Sequence, residues 1–392
     1  MRQAVIVSAT RTPIGSFQGA LSSVSAPKLG SIAIARALKR LDLPGDEVDE
    51  VLMGNVLSAG LGQAPARQAA LGASLPNSVG CTTINKVCGS GLKAVMLAAQ
   101  AIVTGDADVV VAGGMESMSN APYLLMKGRT GYRLGSGELV DSLIHDGLWD
   151  VYNQFHMGAA GEICARMLKI GREEQDEYAL VSYERARKAQ DEGAFSREIV
   201  AVTVPRESLE NVLVSEDEEP KRVNRANLQN LKPSFEKHGS ITAGNASSIS
   251  DGAAALVLMS DEKAQILGLK PMAKIVGFTT YATEPAWFTT APAKAIQALL
   301  QRTDRSVAAV DLFEINEAFA VCSIAVNREL GLDPDKVNVR GGAVALGHPI
   351  GASGARLLVT LIHALEDHGL ATGVTSLCIG GGEAVAMMIE RV

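Results

Sequence analysis

The 392-residue chain is 47% hydrophobic and 20% charged, with a formal net charge of −7. That length supports two or three domains around a large core, and an acidic balance without any Lys/Arg block argues against a nucleic-acid partner. Five cysteines, an odd number with no Cys-x-x-Cys pair, argue against a disulfide framework and a zinc site and suit a reducing compartment. The chain enters an apolar strand at once, Ala4-Val5-Ile6-Val7, with no leader-like segment before it, and no apolar run reaches the roughly 18 residues of a membrane span. A cytoplasmic, soluble enzyme with no membrane partner is expected. Next come a helix near Lys28–Leu41, a strand at Val51–Met53, a helix opening near Gly89 and a strand at Val109–Val111. This alternation predicts an α/β half over residues 1–118. From 119 to 246 charges cluster and glycine-rich turns appear, which reads as an inserted loop domain. Its best helix runs from Arg172 to Glu192, with Glu173-Glu174 complementing the dipole, and its acidic run Glu216-Asp217-Glu218-Glu219 reads as a solvated turn. Ala253–Met259 reads as a buried strand in a segment, 247–270, that returns to the first half. Residues 271–392 form the second half.

The two halves repeat one pattern. Cys88-Gly89-Ser90-Gly91 opens a helix with Leu92, Val95, Met96, Ala99 and Ile102 at helical spacing, followed by a strand and Gly113-Gly114. Gly351-Ala-Ser-Gly354 opens another, with Leu357, Leu358, Leu361, Ile362 and Leu365, followed by a strand through Cys378 and Gly380-Gly381-Gly382. Such a repeat implies two similar layered halves about a pseudo-twofold axis, so Cys88 and Cys378 could meet at the junction. Cys88 stands where the positive end of a helix dipole would lower its pKa, and His348, in Gly347-His348-Pro349, could act as its base.

These motifs resemble the thiolases, and within them the short-chain acetoacetyl-CoA type. The match rests on Asn85-Lys86-Val87-Cys88-Gly89-Ser90-Gly91, Gly113-Gly114-Met115-Glu116-Ser117-Met118-Ser119, Asn316-Glu317-Ala318-Phe319, Gly341-Gly342 through Gly347-His348-Pro349-Ile350-Gly351, and Cys378-Ile379-Gly380-Gly381-Gly382. The resemblance implies a five-layered αβαβα fold with duplicated halves and an inserted loop domain, a homotetramer, and acetyl-CoA, acetoacetyl-CoA and CoA as reactants with no other required cofactor. It implies that Cys88 carries the acyl group, that His348 takes its proton, and that Cys378 is acid and base at the second substrate's methyl. Asn316 would hold a water at the enolate, with His348 beside it. The N–H groups of Cys88 and Gly380 would receive the oxyanion.

Around the substrate, the resemblance assigns Leu148, His156, Met157, Ser247 and Phe288 to the pocket and Arg222 to the nucleotide end of CoA. His156-Met157 favours a short acyl group. Asn227 stands where some relatives place a lysine against CoA. Tyr183 is matched to a tyrosine beside a potassium ion, with carbonyls of Ala243, Gly244, Ala246 and Val344.

Other readings compete. Ser90-Gly91-Leu92-Lys93 fits S-x-x-K, but no Lys-Thr-Gly accompanies it. A decarboxylating ketosynthase fits the second cysteine and Asn316-Glu317 less well, and a lipid carrier would be expected to lack Cys88 or His348. The nearest alternative is a broad-range 3-ketoacyl-CoA thiolase. Asn316 could instead cap a helix starting at Glu317, and Cys81, Cys164 and Cys322 read as structural.

Overall fold

The computed structural model describes residues 2–205, 210–222 and 225–392. In chain order its main elements are β1 (Ala4–Arg11), α1 (Ala26–Lys39), β2 (Glu50–Gly54), α2 (Pro65–Gly72), β3 (Gly80–Ile84), α3 (Ser90–Thr104) and β4 (Val109–Ser117). Next are α4 (Met157–Leu168), α5 (Arg172–Asp191), β5 (Ser250–Ser260) and β6 (Ala273–Ala282). The chain ends with α6 (Ala291–Arg302), β7 (Leu312–Ile315), α7 (Ala320–Leu330), α8 (Ala343–Leu346), α9 (Ile350–Asp367), β8 (Thr372–Ile379) and β9 (Glu383–Arg391).

The strands lie in the order β7-β8-β9-β6-β1-β5-β4-β2-β3. Within it the duplication is explicit. Steps β2-β4, β4-β5 and β5-β1 are parallel, antiparallel and antiparallel, and β7-β8, β8-β9 and β9-β6 repeat that series. Within the sheet, the described residues of the two halves pair at Val5 with Lys274 and Ile6 with Ala273.

Packing then builds the layers. Val110 and Ala112 of β4 face α3 and α9 in one core, which also takes Leu377 and Ile379 of β8 and Val385 and Met387 of β9. Val109 and Val111, pointing to the opposite face, pack with α1 and α2. On the far side, α6 covers Ile315, Val374 and Met388. The central layer is therefore the helix pair α3 and α9, buried between the two sheet halves. By length and mean hydropathy Val87–Thr104 could cross a membrane, contrary to the expectation that no stretch would qualify; here that hydropathy serves a helix covered on both sides.

The pair crosses on glycines. A Cβ on Gly91 would lie 2.9 Å from the Ala355 nitrogen, and one on Gly354 would lie 2.5 Å from that of Leu92. Gly113 and Gly114 stand inside β4, and a Cβ on Gly114 would fall 2.1 Å from the Gly351 carbonyl. Close approach of α9 explains Gly114, and close approach of the neighbouring strand β5 explains Gly113, whose Cβ would lie 2.0 Å from the Ala254 carbonyl.

Two local expectations fail for tertiary reasons. The acidic run is no solvated turn: Asp217 and Glu198 enclose the fully buried Arg11 at 2.7 and 2.6 Å, and Glu218 accepts from the nitrogens of Ser16 and Ala20. Nor does Asn316 cap a helix, because α7 starts at Ala320 with Phe319 in the cap position.

Candidate active site

Both central helices begin at the same place. Gly89 precedes α3 and Pro349 precedes α9, so the nucleophile candidate Cys88 and His348 arrive at one cavity of about 360 Å³. Cys88, His348, Gly380, Leu148, His156, Met157, Ser247 and Phe288 line it, with Ala243 and Ala246. Cys378 and Asn316 are buried outside that lining. Cys378 is the penultimate residue of β8, two before Gly380, and lies close enough to Cys88 to act electrostatically on it.

The helix dipole does not produce a thiolate at Cys88. Enclosure, aided by Cys378, pushes its thiol up to about 12, against the opposing N–H donors of Gly380 and of Cys88 itself. That enclosure favours the neutral thiol at Cys88. The two backbone N–H groups already converge on its sulfur. The positive φ values of this hairpin fall on Gly381 and Gly382; Gly380 serves by closeness, since Met157 Sδ lies 3.3 Å from where its Cβ would be.

His348 is arranged as the matching base. Ser353 Oγ gives its only proton to the Pro349 carbonyl at 2.9 Å and lies 2.5 Å from His348 Nδ1. In this arrangement Nδ1 carries the ring proton, which leaves Nε2 unprotonated. Asn316 Nδ2 stands 3.4 Å from that nitrogen, while Asn316 Oδ1 is buried without a protein partner. Burial, with the nearby Arg356 charge, pushes the imidazole down to about 3.

Two carboxylates hold these loops, and both stand in motifs without having been assigned a role. Glu116 accepts from Asn55 Nδ2 and from the backbone nitrogens of Val56, Leu57 and Gly351. It thereby fixes the first turn of α9 just after His348, although burial raises its pKa to about 7 against those donors. Glu317 accepts from Tyr178, Ser182, Asn338 and the Val344 nitrogen, tying the Asn316 loop to α8. Ser353 carries the third unassigned task, and its i+5 offset from His348 was the available signal.

The remaining positions divide. His156 caps α4 by accepting from Gly158 N at 3.1 Å and stacks on Phe235 at 4.8 Å, so it is both cap and wall. Ser247 donates to the Ala318 carbonyl at 2.9 Å. Arg222 lies outside the cavity lining, paired with Glu219 at 3.0 Å and Glu218 at 3.4 Å. Tyr183 is buried away from the lining, in a core with Val344 and Leu228, against which Gly244 packs. Cys322 shares a core with Cys378 and Cys164.

The architecture has known counterparts. A family model described as thiolase, N-terminal domain, matches residues 4–262, and one described as thiolase, C-terminal domain, matches 269–391. The chain belongs to the thiolase family. It is 53% identical to an acetyl-CoA acetyltransferase of Schizosaccharomyces pombe over 99% of this chain and 98% of that one. With acetyl-CoA acetyltransferase 2 of Arabidopsis thaliana the identity is 55% over 99% and 97%. Among solved structures, the acetyl-CoA acetyltransferase of Bacillus anthracis superposes with a TM-score of 0.98 at 45% identity, covering 100% of this thiolase and 99% of that chain. The Acat5 thiolase of Ascaris suum, solved in complex with coenzyme A, gives 0.94 at 47% identity, with both chains fully covered.

Proposed function

We propose that this thiolase is an acetyl-CoA C-acetyltransferase, joining two acetyl-CoA to acetoacetyl-CoA and CoA through an acetyl-Cys88 intermediate. The observation that carries the reading is the convergence of a thiol, two N–H donors and a histidine with an unprotonated Nε2 on one apolar cavity, in a chain so close to acetyl-CoA acetyltransferases. Cys88 Sγ attacks the thioester carbon as its proton passes to His348 Nε2. The oxyanion is received by the N–H groups of Cys88 and Gly380. Collapse breaks the carbon–sulfur bond to CoA, whose sulfur takes the proton from His348. Cys378 then removes a methyl proton from the second acetyl-CoA, and a water on Asn316, beside His348, donates to the enolate oxygen. The carbanion attacks the acetyl group, and the departing Cys88 sulfur is reprotonated from Cys378. Each bond made is balanced by one broken, so the sequence also runs backwards as cleavage.

A short acyl group is supported by Met157, whose sulfur abuts Gly380 beside the reacting thiol, and by the buried Phe288 on the wall. Ser247 and Leu148 would flank the pantetheine arm. Arg222 would have to exchange its acidic partners for the nucleotide end of CoA. A potassium ion would fit between Tyr183, Val344 and the Ala243–Ala246 loop, where Glu219 and Glu317 act on the phenol, and would steady that loop against CoA. A homotetramer is supported by β3, an edge strand hydrogen-bonded only to β2, and by the exposed Tyr123, Leu125, Met126 and Leu134. Five free thiols support a reducing, cytoplasmic setting.

The test is CoA-dependent cleavage of acetoacetyl-CoA and 3-ketooctanoyl-CoA by the wild type and Cys88→Ala. Strong C4 cleavage, weak C8 cleavage and an inactive variant are expected. Equal cleavage of both substrates would make it the broad-range 3-ketoacyl-CoA thiolase instead.

A further inference from the structure

The residue before the nucleophile has a backbone that its side chain disfavours. Val87 has φ of +46°, in the left-handed region where a β-branched residue is a genuine outlier. Five bonds close the turn around it, one of them from the Ser90 nitrogen to the Val87 carbonyl at 3.1 Å. The Val87 nitrogen donates to Asn85 Oδ1 at 3.0 Å, and the Lys86 nitrogen donates to Ser90 Oγ at 2.8 Å. Ser90 Oγ donates to the Val87 carbonyl at 2.7 Å, and Gly89 N reaches the Lys86 carbonyl at 3.0 Å. Surroundings this determinate are what strained residues need in order to persist.

The same turn is fastened to the hairpin that carries the second oxyanion donor. A Cβ on Gly380 would lie 3.7 Å from Val87 Cγ1. Lys86 forms an ion pair with Glu383, which lies across from Ile379 at the base of the hairpin. Ile379 Cδ1 in turn occupies the space a side chain on Gly89 would need. The N–H of Cys88 and the N–H of Gly380 come from segments almost three hundred residues apart in sequence, and Val87 packs where those segments meet.

We infer that Val87 is a positioning residue: its left-handed backbone aims the Cys88 thiol and its side chain spaces the Gly380 N–H from the Cys88 N–H. A glycine at this position would adopt the same φ without strain but would free the turn and remove the spacer. Alanine would keep the strain and lose only the spacer. Isoleucine would keep both.

The inference rests on the proposed acetyl-Cys88 chemistry, so the experiment reads acetylation directly. Wild type and the variants Val87→Gly, Val87→Ala and Val87→Ile are compared for exchange of labelled CoA into acetyl-CoA, acetylation of Cys88 by mass spectrometry, and thermal midpoint. Val87→Gly should lower kcat for exchange at least tenfold, with KM within twofold and a thermal midpoint equal to or above that of the wild type. Val87→Ala should lose a smaller part of kcat, and Val87→Ile should stay within threefold of the wild type. Wild-type exchange by Val87→Gly, or a loss of kcat matched by a fall in thermal midpoint, would overturn the positioning role while leaving the proposed function intact. A wild type whose Cys88 is never acetylated would overturn both.

Discussion

Cys88 and His348 are both uncharged before substrate arrives: the thiol is pushed up to about 12 and the imidazole down to about 3. A neutral pair avoids burying an ion pair in an apolar cavity, so in the proposed mechanism proton transfer accompanies attack. The direction of that transfer depends on Ser353, which fixes the tautomer through Nδ1. General-base help is worth about 10²–10⁴, so Ser353→Ala should lower kcat for acetoacetyl-CoA cleavage by ~10–100-fold with little change in KM, and Ser353→Thr should recover most of it. An unchanged kcat in the alanine variant would remove Ser353 from the mechanism. The placement of the candidate nucleophile was legible from Cys88-Gly89-Ser90-Gly91 because helix onset is local. Its protonation was not, because dipole and base are near in sequence or motif while the enclosing groups, Cys378 above all, come from another half.

At the scale of elements, the site depends on α3 and α9 starting at one point. α9 is buried from Ile350 to Leu365, and its first turn is pinned between the Glu116 carboxylate and the backbone of β4. Gly114→Ala would place a methyl carbon 2.1 Å from the Gly351 carbonyl, and backbone on both sides cannot yield as a side-chain tip would. Overpacking of this kind costs ~1–3 kcal/mol or more, so urea unfolding should show a lower midpoint, with kcat reduced as His348 shifts alongside α9. A midpoint matching the wild type would mean that the helix can slide freely on the strand. The helices themselves were readable from their 3.6-residue period: the helix expected to open near Gly89 begins at Ser90, and the one expected at Arg172 begins there. Asn316 shows the limit of the same method, since a displaced helix start depends on where neighbouring chain segments lie.

At the scale of the molecule, buried titratable groups make stability depend on pH. His348 has its folded pKa below the unfolded value of about 6.5, so its contribution is complete above pH 6.5 and is lost as pH falls towards 3. Glu116 and Glu314 act oppositely: raised to about 7 by burial, they favour the folded state below about pH 4.5 and lose that contribution as pH rises through 7. The clean comparison is a difference between variants that keep both glutamates. Between pH 7.5 and 5.0 the urea midpoint of the wild type should fall further than that of His348→Asn, at fixed protein concentration. Equal falls would show that His348 is not held neutral by the fold.

By itself the sequence determined the duplicated α/β halves, the helices that open beside Cys88 and beside His348, and the identity of the chemically competent residues, because periodicity, glycine turns and nucleophile motifs are written within a few residues of one another. Only the tertiary structure decided which groups share a cavity, that Asp217 is buried against Arg11, that Gly114 gives way to a helix, and that Cys88 is a thiol. Those outcomes come from close approach and lost solvation between segments hundreds of residues apart, and no local pattern records either.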